Sequence, residues 1–328
     1  MNSFAFTCGD INGIGPEITI KALNKILKKY PLDTFYFICP KKVFLTTSLK
    51  TRPSFKFDII STIKNQGDKR VHVLSKDSFS PEFGKPTPKS GKASYNSLQN
   101  AFKLWQNGIA DAIITSPVSK TALKMAGINF PGQTEMFAKW SDSTNYVMMF
   151  LSRKIISVPA TIHIPLKDVA KSLKINKLID LLNVIYKTLI DDLKCLNPKI
   201  AVLGLNPHAG ENGYIGNEEN KIIIPAIQKF RKKTNSLIEG VFPADGFWGN
   251  KIYKNYDAVV AMYHDQALIP FKLLNFGKGV NFTAGLSLVR TSPDHGVAYD
   301  IAGENIADES SMIEAFEFAR KISLNRKK

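Results

Sequence analysis

Short apolar runs alternate with amphipathic segments along most of this chain. A short apolar run bounded by polar residues is typical of a buried strand, and apolar residues three and four apart are typical of a helix. Strands are predicted at residues 4–8, 34–39, 57–60, 71–74, 111–115, 146–151, 158–164, 200–205 and 257–263. Helices are predicted from the glycine loop at 9–17 to about residue 29 and at 93–107, 177–194, 218–233 and 311–324, and another begins near 130–135.

The order of these elements indicates an α/β fold. Strands that alternate with helices form parallel sheets, here in a doubly wound arrangement with helices on both faces. Residues 41–92 are the main exception, because they are rich in Lys, Pro, Ser and Gly and predict an irregular segment around the two short strands. A loop is predicted at 242–246, before the final strand at 257–263. The length of 328 residues is enough for about two domains.

Three of the five histidines lie at or just after predicted strand ends, namely His163, His208 and His264. Each could be an ordinary hydrogen-bonded histidine of the core or of a turn. The alternative is a shared metal site, because the carboxyl ends of parallel strands converge in space. Their separations of 45 and 56 residues match no local zinc signature, so both interpretations stay open at this point.

The stretch at 257–303 also carries polar side chains suited to an anionic ligand. Lys272, Asn281 and Arg290 follow the strand in order, and a guanidinium and an ammonium are typical partners of phosphate and carboxylate groups. The helix that begins near residue 132 allows two interpretations. Thr134 could act as an ordinary N-cap, or the helix start could direct its free N–H groups toward an anion.

Composition narrows the class of protein. The chain is 44% hydrophobic and 22% charged, which is usual for a globular domain, and its three cysteines show no CxxC spacing. The net charge of +16 arises from lysines spread along the chain, with no basic stripe or aromatic interleaving that would indicate nucleic-acid binding. No signal peptide pattern and no apolar run of membrane-spanning length occurs. We therefore predict a cytoplasmic protein with neither a nucleic-acid nor a membrane partner.

An ordered series of motifs resembles the 4-hydroxythreonine-4-phosphate dehydrogenase family of pyridoxal phosphate biosynthesis. The resemblance spans nearly the whole chain, and its most specific parts surround His208, His264 and Arg290. The motifs are GD at 9–10, GIGPE at 13–17, GQTE at 132–135, HIPL at 163–166, GLNPHAGE at 204–211, PAD at 243–245, YHDQ at 263–266, RTS at 290–292 and DHG at 294–296.

The resemblance implies a more detailed architecture than the apolar pattern alone. It implies two doubly wound α/β/α domains of the isopropylmalate dehydrogenase-like type with an interdomain cleft. The first would be a discontinuous cofactor-side domain at 1–130 and 275–328, and the second a metal- and substrate-binding, dimerising domain at 131–274. The active site would be completed across a homodimer.

The resemblance also implies roles for individual residues. His163, His208 and His264 would bind a divalent metal, commonly zinc and alternatively magnesium or cobalt. Asp294, His295, Gly296 and Gly303 would bind the adenosine part of NAD or NADP, because the loop is similar to that of isocitrate and isopropylmalate dehydrogenases. A phosphorylated small-molecule substrate would contact Gln133, Thr134, Lys272, Asn281 and Arg290. The general base stays open between Asp245, Asp265 and a metal-bound water.

One position departs from the family pattern, which usually has histidine where this chain has Gln133. A glutamine can hydrogen-bond to a substrate but cannot titrate. The expected activity is oxidation of 4-phosphooxy-L-threonine followed by loss of CO2. The competing predictions are a dehydrogenase of another phosphorylated hydroxy acid, such as a four-carbon sugar acid phosphate, a phosphate acyltransferase of related fold, and a non-catalytic binding protein.

Overall fold

Phenylalanines of the first predicted strand lie in the centre of an aromatic core. Phe4 and Phe6 contact Phe35 of the neighbouring strand and Phe316 of the last helix, with ring centroids 5.0–6.2 Å apart. The computed structural model of the chain describes residues 2–65, 67–234 and 236–327. It divides into two compact units, the first formed by Met1–Ser143 with Leu286–Ser323 and the second by Thr144–Gly285 with Leu324–Lys328.

The first unit contains a six-stranded segment of sheet in the order β3-β4-β2-β1-β5-β12, and all its pairings are parallel. The apolar pattern predicted five of these strands, most of whose apolar side chains are buried, and it missed β12 because the sequence of that strand is RTSP. Its elements are β1 Ser3–Thr7, α1 Gly15–Lys29, β2 Thr34–Ile38, α2 Lys41–Thr51, β3 Phe57–Ile60, β4 Val71–Leu74, α3 Pro88–Gln106, β5 Ala112–Ile114, α4 Lys120–Met125, α5 Gln133–Trp140, β12 Arg290–Pro293 and α11 Ser310–Lys327, whose last residues belong to the second unit.

The second unit contains the sheet segment β11-β6-β7-β10-β8-β9. Its strands β7, β10, β8 and β9 pair in parallel, but β6 is antiparallel to both β11 and β7. The fold class is therefore confirmed with one correction, because the sheet is mixed rather than wholly parallel. The elements are β6 Val147–Leu151, β7 Ile156–Pro159, α6 Val169–Ser172, α7 Ile175–Lys187, β8 Lys199–Leu203, α8 Ile224–Thr234, β9 Leu237–Phe242, α9 Ala244–Gly249, β10 Ala258–Ala261, α10 His264–Asn275 and β11 Val280–Ala284.

The prediction of an irregular segment at 41–92 is wrong at both ends. Helix α2 lies in it, and only Val43, Phe44 and Thr47 of that helix are buried, so its sequence shows no clear apolar stripe. Helix α3 begins earlier than predicted because Thr87 caps it, accepting a hydrogen bond from the Ser90 N–H while Ser90 Oγ accepts from the Thr87 N–H. Local polarity thus hid helix α2, which packing stabilises, and the first residues of α3, which capping stabilises.

Further corrections concern the segments next to the predicted site residues. The loop predicted at 242–246 covers the last residue of β9 and the start of α9, and the strand at 257–263 is not the last, because β11 and β12 follow it. Strand β7 ends at Pro159, so His163 lies four residues beyond the strand rather than at its end. None of the helices in the described residues is long and apolar enough to cross a membrane.

Candidate active site

Arg290 is a deeply buried cation among the predicted substrate ligands. It is the first residue of β12, next to Ile113 of β5, and only 3% of its surface is exposed. Its Nε and Nη2 donate hydrogen bonds of 3.0 and 2.8 Å to Thr115 Oγ1. Burial lowers the pKa of Arg290 to about 10, against the opposing effect of the Glu135 carboxylate. The side chain therefore remains a cation at neutral pH, in surroundings that strengthen its attraction to an anion.

Gln133 contacts Arg290 directly. Its Oε1 accepts a hydrogen bond of 3.1 Å from Arg290 Nη2, and its Nε2 donates one of 3.0 Å to the Ser116 carbonyl. Helix α5 begins at this residue with Gly132 as the N-cap, so the predicted capping role of Thr134 is wrong. Thr134 is instead buried, with 3% of its surface exposed. Thr115 and Ser116, which sequence reasoning did not assign, follow β5 directly; their position after a strand end was the available signal.

The glycine loop at 9–17 contains a buried carboxylate that sequence reasoning also missed. Asp10 is fully buried and accepts hydrogen bonds from the Asn12 N–H, Ser90 Oγ and Tyr299 OH, at 2.9, 3.1 and 2.8 Å. Burial raises the pKa of Asp10, while these three donors act in the opposite direction. Tyr299 lies between Gly296 and Gly303. Its hydrogen bond to the buried Asp10 carboxylate therefore connects the loop at 294–303 to the glycine loop.

The predicted cofactor residues lie on this loop and at the end of β12. The Asp294 N–H donates to Ser311 Oγ at 3.2 Å, and the Ile14 N–H donates to the Val297 carbonyl at 3.0 Å. A side chain at Gly296 would meet open space. Gly303 has a positive φ of 82°, and a Cβ there would lie 2.8 Å from the Phe83 ring. The loop therefore has no space for a side chain at Gly303 but has space for one at Gly296.

Two of the three predicted metal ligands line one cavity in the second unit. The cavity of about 360 Å³ is lined by Thr161, His163, Ile164, Leu166, Val169, Tyr263, His264 and Asp265. His264 and Asp265 begin α10, and His264 Nδ1 lies 2.7 Å from Asp265 Oδ1. This contact is the kind that fixes the ring orientation and tautomer of a histidine.

The third histidine lies on a segment with an unusual backbone. His208 to Asn212 all have positive φ values, between 42° and 79°, although Gly210 is the only glycine among them. Such conformations cost of order 1 kcal/mol or more for each non-glycine residue. Glu219, itself buried, supports the segment by accepting hydrogen bonds of 2.8 Å from the Leu205 and Asn206 N–H groups.

His208 does not line the cavity that holds His163 and His264. Among residues 2–65, 67–234 and 236–327, no group of three His, Cys, Asp or Glu side chains lies close enough together to hold a metal ion. The described residues of a single chain therefore do not fit the predicted metal centre.

The remaining predicted residues are spread over the second unit. Lys272 lies on the exposed face of α10 and Asp245 is exposed in the first turn of α9. Asn281 lies in β11 opposite Phe150, and its Oδ1 is buried without a hydrogen-bond partner in the described structure. A buried acceptor without a partner is costly, and a donor group on a ligand would remove that cost.

Comparisons with known proteins agree with the motifs. The chain is 41% identical to the 4-hydroxythreonine-4-phosphate dehydrogenase of Sulfurihydrogenibium sp. (strain YO3AOP1) over 328 residues, 100% of both chains. It is 36% identical to that of Bacteroides thetaiotaomicron, covering 98% of this chain and 89% of the relative. The crystal structure of the Klebsiella pneumoniae 4-hydroxythreonine-4-phosphate dehydrogenase matches with a TM-score of 0.84 and 34% identity, covering 98% of this chain and 100% of that one.

The family described as "Pyridoxal phosphate biosynthetic protein PdxA" matches residues 32–319, which include Arg290, Gln133, the three histidines and the loop from Asp294 to Gly303. With relatives this similar along the full length, the chain belongs to the PdxA family of pyridoxal phosphate biosynthetic proteins.

Proposed function

We propose that the chain oxidises 4-phosphooxy-L-threonine to 2-amino-3-oxo-4-phosphooxybutanoate, which then decarboxylates to 3-amino-2-oxopropyl phosphate. Within its family, the observation that most supports this is the buried Arg290, held by Thr115 and Gln133 at 2.8–3.1 Å. A buried guanidinium held in a fixed plane is a typical partner of a phosphate or carboxylate group. In the second unit, the buried Asn281 Oδ1, which has no hydrogen-bond partner among the described residues, is suited to accept from a donor group of a ligand.

The two chemical steps need a hydride acceptor and a base. A nicotinamide cofactor, NAD or NADP, supplies the hydride acceptor when bound. The hydroxyl proton passes to a base as the carbinol carbon becomes a ketone. The C–C bond to the carboxylate then breaks, its electron pair moves toward the ketone, CO2 leaves and a proton is taken up. Asp265 is the better candidate for the base, because it lines the cavity with His163 and His264 and Asp245 does not.

The loop from Asp294 to Gly303 fits the adenosine part of the cofactor. Hydrogen bonds from Tyr299 to Asp10 and from Ile14 to Val297 fix its shape, and the open space at Gly296 leaves its backbone accessible. Close backbone approach to a nucleotide is a usual reason for glycine at such positions.

Alanine substitutions at the two loop glycines are expected to separate cofactor binding from stability. Gly296→Ala adds a methyl group to open space, so it should raise the cofactor KM several-fold while the substrate KM and the Tm stay unchanged. Gly303→Ala forces a positive φ on alanine and a contact with Phe83, so it should lower the free energy of unfolding by about 1–2 kcal/mol. Steady-state kinetics and thermal unfolding of both variants check this. A larger rise in the substrate KM than in the cofactor KM of Gly296→Ala would refute the cofactor assignment.

A homodimer would complete the site. Helix α10, which carries His264 and Lys272, exposes Ile269 and Leu273, and Phe276 follows at its end; these side chains are 58%, 81% and 93% exposed. Their spacing places them on one side of the helix, and an exposed apolar patch of this kind is typical of an interface. We therefore assign a divalent ion (zinc, alternatively magnesium or cobalt) only to a dimer in which each site draws its histidines from two chains.

A substrate comparison tests the proposed function. The purified protein is supplied with each nicotinamide cofactor, with divalent metal, and with either 4-phosphooxy-L-threonine or a four-carbon sugar acid phosphate. The expected result is a kcat/KM at least about a hundred-fold higher for the amino acid phosphate, because buried polar groups reject an analogue that leaves them unpaired. A preference for the sugar acid phosphate would assign the chain to the competing dehydrogenase function.

A further inference from the structure

The hydrogen bonds of Gln133 fix the direction of its amide. Nε2 donates to the Ser116 carbonyl at 3.0 Å and Oε1 accepts from Arg290 Nη2 at 3.1 Å. The flipped amide would place its NH2 group against a guanidinium and its oxygen against a carbonyl, so both contacts would become repulsive. Gln133 is therefore a fixed acceptor that presents a single oxygen to Arg290.

Arg290 is held on one edge by two neutral acceptors on different elements. Thr115 Oγ1 accepts from both Nε and Nη2, and Gln133 Oε1 accepts from Nη2 alone. A single acceptor atom lets the planar guanidinium tilt about that contact. A second acceptor, supplied from the start of α5, restricts that tilt and sets the plane in which the group can bind an oxyanion.

We propose that Gln133 is a positioning residue, which orients the Arg290 guanidinium for an oxyanion of the substrate and influences the substrate only through Arg290. The inference rests on the proposed function, in that Arg290 receives the anionic substrate. It replaces a direct substrate contact by Gln133 with an indirect one. Because the amide is neutral at every pH, this positioning does not depend on titration.

A double-mutant cycle between Gln133→Ala and Arg290→Lys tests the proposal. Gln133→Ala should lower kcat/KM for the substrate about ten-fold, since it leaves part of a buried charged group without its acceptor. In the Arg290→Lys background the same change should cost less than about two-fold, because residues that act as a unit are not additive. The cofactor KM should not change in either background. Gln106→Ala, at the exposed end of α3, is the matched control and should behave as the wild type.

If Gln133→Ala lowers kcat/KM equally in the wild-type and Arg290→Lys backgrounds, Gln133 acts on the substrate independently of Arg290. If it does not lower kcat/KM in the wild-type background, Gln133 does not position Arg290 for the substrate. Either result overturns the proposal.

Crystal structures of the wild type and of Gln133→Ala give a second readout that does not need turnover. The Arg290 guanidinium should be tilted in Gln133→Ala relative to its plane in the wild type. The same guanidinium plane in both structures would contradict the proposal. If the wild type turns over no 4-phosphooxy-L-threonine, the proposed function fails while this structural comparison still decides the role of Gln133.

Gln133→His adds a pH-dependent readout. A neutral imidazole can replace the acceptor and the donor, but an imidazolium has no acceptor and would face the Arg290 cation. The charged side chains near this position are Arg290, Glu135 and Lys120. The variant should approach wild-type kcat/KM at pH 8 and lose an additional factor as the pH falls below about 6.5, the ordinary imidazole pKa, because the facing Arg290 cation lowers the pKa of this histidine. An unchanged ratio of variant to wild type across that range would contradict the positioning role.

Discussion

Arg290→Lys is expected to lower kcat/KM for the phosphorylated substrate by about a hundred-fold or more, although it preserves the charge. The ammonium of lysine cannot form the two parallel hydrogen bonds to an oxyanion that a guanidinium forms. It also cannot satisfy Thr115 Oγ1 and Gln133 Oε1 in the geometry that Arg290 uses, at 2.8–3.1 Å. Steady-state kinetics with the substrate varied at saturating cofactor measure the effect.

The control for this substitution is Arg52→Lys, at the exposed end of α2. It should keep wild-type kcat/KM, and both variants should keep a cooperative unfolding transition. A wild-type kcat/KM for Arg290→Lys would place Arg290 outside the substrate site. It would also remove the basis for the positioning role of Gln133.

Substitution of His163, His208 or His264 by alanine is expected to abolish turnover, and mixing two inactive variants is expected to restore it. If His163 and His208 of each site come from different chains, a heterodimer of His163→Ala and His208→Ala contains one intact site. Random re-association makes about half of the dimers heterodimers, so the mixture should recover about a quarter of wild-type activity. The readout is the turnover of the mixture after the chains are dissociated and re-associated, together with its content of tightly bound metal.

The control mixture combines His163→Ala with itself and should stay inactive. A failure to recover activity would mean that each site takes His163 and His208 from the same chain. The structure makes that outcome unexpected, because His163 and His264 line a cavity that His208 does not line. Full activity of any single histidine variant under chelation would contradict a metal role altogether.

The strands and helices that were predicted well are those whose own sequences show a clear apolar pattern. Strands such as β1 and β8 are buried runs, and α1 and α11 have clear apolar positions that pack inward. Helix α2 was missed because its stability depends on packing that its own sequence does not reveal. Apolar periodicity therefore predicted most of the strands and helices of the fold.

The sequence predicted which residues belong to the site but not how they are arranged in space. The contact between Gln133 and Arg290 joins residues 157 positions apart, and no local pattern could reveal it. The histidines were expected to converge because they follow strands. The chain instead continues four residues beyond β7 before His163 and turns through a left-handed segment at His208, and these paths depend on support from groups such as Glu219. Asp10 was part of a motif but was given no role, because its burial, which makes it exceptional, cannot be predicted from sequence spacing.

The most direct test of the central claim is the stoichiometry of the complete reaction. The metal-supplied wild type is incubated with 4-phosphooxy-L-threonine and NAD or NADP, and reduced cofactor and CO2 are followed in the same sample, with Arg290→Ala as the inactive control. Reduced cofactor and CO2 should appear in equal amounts, and 3-amino-2-oxopropyl phosphate should accumulate with them. Absence of cofactor reduction with both nicotinamide cofactors would contradict it.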